Sequence, residues 1–182
     1  MIFYTSDLHI GHTNALIFDN RPFLNIDEMA EAIIDKWNNK VTDNDTVYIL
    51  GDVFYRYKEA PQTFLGKLKG HKNLIVGNHD FKIILKNNAA LKCFESVDNL
   101  KRIEDNGRIV ILCHYPIIYW DQKHRGAYHI YGHVHNHLTQ DTHYMMKQEN
   151  AYNAGCMINN YEPCTLEELI DNNKIFKEKY FN

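Results

Sequence analysis

The chain opens on a short apolar run, Ile2 to Thr5, that turns polar at Ser6-Asp7, as a buried strand ending in a loop does. From Asp27 to Asn39 the apolar residues Met29, Ile33 and Trp37 recur every four positions, with Ala30 and Ile34 beside them, which gives a helix one buried face. Asn25 and Glu28 have the spacing of a capping pair at its start. Thr46 to Leu50 reads as a second buried strand running into Gly51-Asp52. A short helix is predicted from Pro61 through Phe64, Leu65 and Leu68, ended by Gly70. Asn73 to Val76 is a third strand leading into Gly77-Asn78-His79-Asp80, with a helix through Ile83, Ile84 and Leu85 after it. This βαβαβα order implies parallel strands joined by helical crossovers.

The second half changes character. Leu100 to Asp105 and Arg108 to Cys113 flank Asn106-Gly107, a hairpin signal that brings in antiparallel strands. Tyr128 to Tyr131 and Ala151 to Ala154 read as further short strands. Leu166 to Ile170 starts a helix after Thr165, a candidate N-cap with Glu168 at its third helical position. There is no repeat, low-complexity tract or linker, and 182 residues suit one domain, taken as 1–182.

Five clusters of metal-competent residues each follow a predicted strand: Asp7-Leu8-His9, Gly51-Asp52, Gly77-Asn78-His79-Asp80, Cys113-His114 and Gly132-His133-Val134-His135. In sheets with parallel strands a ligand site lies beyond the carboxyl ends of the strands, so these clusters can converge. Asp7 and His9, and His133 and His135, stand two residues apart, which in extended backbone puts both side chains on one side. Glycines 51, 77 and 132 precede ligand candidates, where close backbone approach requires the absence of a Cβ.

The pattern DxH, GD, GNHD, a lone His and GHxH resembles the calcineurin-like metallophosphoesterase superfamily. The matching clusters appear in that order from Asp7 to His135. The resemblance implies an α/β fold, a four-layer α/β/β/α sandwich of two mixed sheets flanked by helices. It implies that Asp7, His9, Asp52 and His135 hold one metal, and that Asp52, Asn78, His114 and His133 hold the other, with Asp52 bridging. It further implies that His79 is a catalytic acid and that Asp80 orients its ring. Imidazole and carboxylate ligands without thiolate suit Mn, Fe, Co, Ni or Zn. Two divalent ions roughly 3.5–4 Å apart would bind a bridging hydroxide and clamp the phosphoryl oxygens. The implied activity is hydrolysis of a small phosphodiester or phosphomonoester, with no protein nucleophile. A non-catalytic metal-binding scaffold on the same fold is the rival reading, disfavoured because the ligands and His79 are all present.

His12, in an extended form of the first motif, is a candidate for contacting substrate phosphate, and Arg21 and Arg56 are loop guanidinium groups that could do so. His137 is assigned a supporting or rim role. His71, His124, His129 and His143 are read as structural, Cys113 as a small buried hydrophobe, and Asp19, Asp27 and Asp43 as solvated or capping residues. Segments between motifs are short, and the longest, Ile10 to Asp45, is largely committed to a helix. An open site favouring small or flexible phosphodiesters is expected.

Composition narrows the alternatives. Hydrophobic residues at 45% and charged residues at 24% exclude a disordered or fibrous chain. A net charge of −3 with scattered basic residues argues against stable nucleic-acid binding, leaving a small phosphoester as the expected partner. No apolar run reaches membrane-spanning length and there is no signal-peptide pattern. Cys93, Cys113, Cys156 and Cys164 lack CxxC spacing and read as reduced thiols. The expectation is a soluble, cytoplasmic protein.

Overall fold

The computed structural model describes residues 1–181. Strands β1 (Ile2–Thr5), β2 (Thr46–Ile49), β3 (His71–Ile75) and β4 (Ser96–Asp98) form one sheet in that order, parallel throughout. An antiparallel bridge from Tyr4 to Cys164 is added at the β1 edge. Strands β5 (Leu100–Asp105), β6 (Arg108–Cys113), β7 (Tyr128–Tyr131) and β8 (Ala151–Asn153) form the second sheet. Only the β5–β6 hairpin around Asn106-Gly107 is antiparallel; β6, β7 and β8 run parallel. The second half is therefore less hairpin-rich than its sequence suggests.

Alternation along the strands builds the layers. Phe3, Val47, Ile49 and Leu74 face outward from the first sheet. There they meet α2 (Ile26–Lys40), through Met29, Ile33 and Trp37, and α3 (Pro61–Leu65), through Phe64 and Leu65. Their neighbours Tyr4, Tyr48, Leu50 and Ile75 face inward against Val110, Leu112 and Ile130 of the second sheet. The outward face of the second sheet, Ile111, Tyr131 and Ala151, packs on Trp120 and on Met145 of α6 (Gln140–Met146). Each buried Val, Leu, Ile, Phe or Met side chain among these contributes roughly 1.5–3 kcal/mol by leaving water. The result is the expected four-layer sandwich, with two four-stranded sheets at its centre.

Local signals set the helix ends. Asn25 accepts from the N–H groups of Asp27 and Glu28, and Glu28 accepts from Leu24 N–H, which completes the capping pair one residue further out than expected. At α7 (Leu166–Phe181) the box is reciprocal: Thr165 N–H donates to the Glu168 carboxylate and Glu168 N–H donates to Thr165 Oγ1. Leu166 and Leu169 insert beside the inter-sheet core. Three short helices complete the chain: α1 (Thr13–Phe18), α4 (Asp80–Ile83) and α5 (Asn88–Leu91). No helix among the described residues is long and apolar enough to cross a membrane.

His129 on β7 is a core group, fully buried beside Trp120. Its Nδ1 donates to Ile111 O and its Nε2 accepts from Ile117 N–H, each at 3.0 Å, an arrangement that only the neutral ring can make. Burial pushes the ring down to about 4, against the pull of the backbone at Ile111 and Tyr115. The folded state thus resists a proton that the unfolded chain accepts near pH 6.5. Stability is intact above that value and is lost as pH falls toward 4, by up to about 3 kcal/mol. Urea unfolding at pH 7 and pH 4.5 should show a smaller acid-induced loss for His129→Gln than for the wild-type chain. Equal losses would exclude His129 as a source of the acid sensitivity.

Candidate metal centre

The loops that leave β1, β2, β3, β6 and β7 at their carboxyl ends meet over one end of the two sheets. Asp7 N–H donates to Gly51 O (3.1 Å), His9 N–H to Asp52 O (3.0 Å) and Gly132 N–H to His114 O (2.9 Å). His133 N–H reaches both oxygens of Asp7, at 3.0 and 3.2 Å, joining the two sheets. A Cβ on Gly51 would lie 2.6 Å from Gly77 Cα and from His114 Nδ1, and one on Gly132 would collide with Ser6 Oγ. Close approach thus explains those glycines.

The extended-backbone account of the paired ligands is corrected here. Asp7, His9, Asp52, His133 and His135 all lie in the left-handed region, with φ of 56°, 51°, 54°, 70° and 52°. Each such non-glycine residue costs on the order of 1–3 kcal/mol and persists only when its surroundings enforce it. The two-residue spacing works because the chain turns sharply at each member of the pair.

The side chains converge in two groups. Asp7, His9 and His135 bring one ligand atom each to within 4.8 Å of one another, as do Asp52, His114 and His133. His9 Nε2 is 3.1 Å from His135 Nε2, and His135 Nε2 is 3.7 Å from Asp7 Oδ1. Asp52 stands between the groups: its Oδ2 is 3.6 Å from both His9 Nε2 and His114 Nε2. Asn78 Oδ1 lies 3.2 Å from His114 Nε2.

The opposite edge of three of these rings fixes what the inward edge offers. His114 Nδ1 is 2.7 Å from Leu50 O, His135 Nδ1 is 2.8 Å from Asp19 Oδ1, and His9 Nδ1 is 3.4 Å from His12 Nδ1. Assigning the Nδ1 proton to each of these bonds leaves Nε2 as a bare lone pair. Lone pairs then face carboxylate and amide oxygens, acceptor against acceptor, an arrangement that a cation satisfies. Burial, with His135 and Arg21 nearby, pushes His9 far below the usual imidazole range, so its ring is neutral. Burial raises the Asp7 carboxyl, a cost that a bound cation would offset. For His135 burial opposes protonation, but the Asp19 bond together with the charges of Asp7 and Asp19 outweighs it and raises the ring above its usual value.

A family model described as calcineurin-like phosphoesterase matches residues 1–105, which carry Asp7, His9, Asp52, Asn78 and His79. The chain belongs to the calcineurin-like phosphoesterase family. It is 31% identical over 182 residues to the uncharacterized protein MJ1445 of Methanocaldococcus jannaschii, covering 97% of this chain and 94% of that one. It is 29% identical to the Gene 66 protein of Mycobacterium phage L5, covering 80% and 82% of the two chains. The crystal structure of AQ665, a protein of unknown function from Aquifex aeolicus, superposes with a TM-score of 0.70 at 24% identity. That match covers 94% of this chain and 98% of the other, and shows the same fold.

In this calcineurin-like phosphoesterase the remaining sequence candidates fall in different places. His79 is part-exposed, its Nε2 3.8 Å from Asp52 Oδ2, while its backbone N–H donates to Asp52 Oδ1. Asp80 is fully buried and accepts from the N–H groups of Asp52 (2.9 Å), Val53 (3.0 Å) and Gly77 (2.8 Å). Its expected role in orienting His79 is corrected: the carboxylate faces the loop backbones and ties the β2 and β3 loops together. Burial pushes it up to about 6, against the pull of those N–H groups. His12 stacks on Tyr55 with ring centroids 3.8 Å apart, and burial and Arg21 push it down to about 4. Arg56 is exposed, its guanidinium over the Tyr55 ring, on the wall of a cavity shared with His79.

Arg21 is a further correction. It is buried, and its guanidinium donates to Leu8 O, Asp7 O and Asp19 Oδ2, so it points beneath the site and not toward a substrate. Asp19, read from the sequence as solvated or capping, is 2% exposed and faces both His135 and His137. Asn153, also not anticipated, donates to His135 O at 2.7 Å. The only sequence sign of this layer is an Asp-x-Arg pair in a loop, and such pairs carry no periodicity to distinguish them.

Proposed function

We propose that the chain is a phosphoester hydrolase dependent on two divalent metal ions, and that it acts on phosphodiesters. The observation that carries this reading is the convergence of the His9, His114 and His135 Nε2 atoms on Asp7, Asp52 and Asn78, with the outer Nδ1 of each ring against His12, Leu50 O or Asp19. Asp7, His9, Asp52 and His135 would hold one ion, and Asp52, Asn78, His114 and His133 the other. The position of Asp52 Oδ2, at 3.6 Å from both His9 and His114, supports its role as the shared ligand. Bound ions of this kind supply a nucleophile from water at neutral pH and neutralise charge on the phosphoryl oxygens.

The protein's own groups do the rest. His79 lines the cavity beside the centre, within reach of a leaving oxygen, and its task is to give that oxygen a proton. Two cavities of about 560 Å³ flank the site: one holds Asn78, His79, Arg56 and Phe81, the other His133, Tyr115, Ile118 and Tyr144. A monoester has one organic arm to place; a diester has two. Space on both sides of the ligand cluster supports the diester.

Protein reconstituted separately with Mn, Fe, Co, Ni and Zn should bind about two ions per chain by elemental analysis. It should cleave bis(p-nitrophenyl) phosphate faster than p-nitrophenyl phosphate. A reproducible limit of one ion would overturn the dinuclear assignment. Monoester cleavage with no measurable diester cleavage would overturn the substrate class.

A further inference from the structure

We propose that Asp19 and Arg21 form a positioning pair for one half of the metal centre, with Asp19 fixing the ring of His135 and Arg21 fixing the peptides on either side of Leu8. This rests on the dinuclear reading above.

Asp19 follows α1, Arg21 lies two residues on, and both side chains are fully buried. The Asp19 carboxylate is divided between two tasks. Its Oδ2 accepts from Arg21 Nε and Nη2 at 3.0 and 2.9 Å, two charge-assisted bonds from one edge of the guanidinium to a single oxygen. Its Oδ1 is 2.8 Å from His135 Nδ1 and 3.3 Å from His137 Nε2. The Asp19 carbonyl also accepts from the Asn136 amide at 3.1 Å, so both its backbone and its side chain grip the His133–His137 loop. The free faces of the Arg21 guanidinium donate to Leu8 O (2.7 Å) and Asp7 O (3.0 Å). These carbonyls belong to the turn that places Asp7 and His9 in the left-handed region. One ion pair therefore links the β1 loop to the β7 loop, and these loops carry Asp7, His9 and His135.

The other half of the centre is held differently. His114 is oriented by Leu50 O, and the Asp52 and Gly77 backbones by Asp80. Neither anchor touches Asp19 or Arg21 in the bonds described above, so the two halves have separate supports.

Asp19, His135 and His137 could themselves be read as a further cation site, since their ligand atoms lie within 4.8 Å of one another. Arg21 speaks against it. Its guanidinium already neutralises the carboxylate at hydrogen-bond distance and would repel a second cation there. A carboxylate bonded to the outer nitrogen of a ligating imidazole fixes its tautomer and raises its basicity, and loss of such a partner typically costs 10–100-fold in metal affinity.

The test is a metal titration by calorimetry with elemental analysis, using Mn and Zn, on wild type, Asp19→Asn and the double variant Asp19→Asn/Arg21→Gln. The double variant leaves no unpaired buried charge, and so keeps the test informative if Asp19→Asn alone unfolds. The expected result is one ion bound as in wild type and the other weakened on the order of 10–100-fold. Saturating metal should restore much of the kcat, which a folding defect would not permit; circular dichroism without metal confirms the fold. Unchanged affinity for both ions in a folded variant, or equal weakening of both, would overturn the positioning role while leaving the dinuclear reading intact. A wild-type chain that takes up no ion would overturn both.

Discussion

Replacing Asp52 with alanine is expected to empty both halves of the centre together and to remove activity beyond what any change at His79 produces. Asp52 is the carboxylate whose Oδ2 lies equidistant, at 3.6 Å, from His9 and His114, one imidazole from each group of ligands. Its Oδ1 meanwhile accepts the His79 backbone N–H. Its removal would leave each ion with fewer anionic ligands and take away the shared carboxylate between them. Repulsion between two dications in a buried, low-dielectric site then favours losing both. Asp19→Asn, by contrast, should weaken one ion only. The measurement is metal content after reconstitution and dialysis, taken beside kcat for the same samples. Retention of about two ions by a folded Asp52→Ala chain would show that Asp52 is not shared.

The parts of this arrangement that were legible in the sequence are those encoded locally. The four-residue recurrence of Met29, Ile33 and Trp37 marks α2, and Asn106-Gly107 marks the only hairpin among the paired strands. The apolar runs of β1 and β2 also announce themselves, because a strand buried on both faces needs no polar positions. β4 could not be found this way: Ser96, Val97 and Asp98 form an edge strand with no apolar run, and only pairing with β3 makes it a strand. α1 leaves Ile17 and Phe18 exposed and shows no buried stripe. The parallel pairing of β6, β7 and β8 joins segments distant in sequence, and the hairpin signal says nothing about it.

The site divides along the same line. The motif residues stood out because they recur at strand ends, and the folded chain brings Asp7, His9, Asp52, Asn78, His114, His133 and His135 together. What orients them was hidden. Asp19 and Arg21 lie in a loop whose composition resembles any surface turn, and their importance arises only when the β1 and β7 loops close over them. Asp80 was visible as part of GNHD, but its three backbone donors come from two different loops. A sequence motif can mark a residue without stating which neighbour it holds.

Replacing His79 with alanine is expected to keep both ions while lowering the rate on the order of 10²–10⁴-fold, the usual contribution of a positioned general acid. The geometry separates this residue from the candidate metal ligands. His79 Nε2 is 3.8 Å from Asp52 Oδ2, and the side chain is part-exposed on the wall of the cavity that also holds Asn78 and Phe81. The ring is packed edge-on against Tyr55, with centroids 4.9 Å apart. Its backbone N–H, which supports Asp52, survives substitution by alanine. The loss should therefore fall mainly in kcat and should depend on the leaving group. An alkoxide leaves as a strong base and needs the proton; a nitrophenolate is already a stable anion and needs little. Across diesters with graded leaving groups, His79→Ala should show a steeper dependence of kcat on leaving-group basicity than wild type. Asp80→Asn offers the contrast, because its carboxylate braces the loops of Asp52 and Gly77 and does not face the ring of His79. That variant should lose metal affinity and stability with no change in the leaving-group slope. Equal loss across all leaving groups in His79→Ala, or metal loss matching that of Asp52→Ala, would remove His79 from the role of general acid.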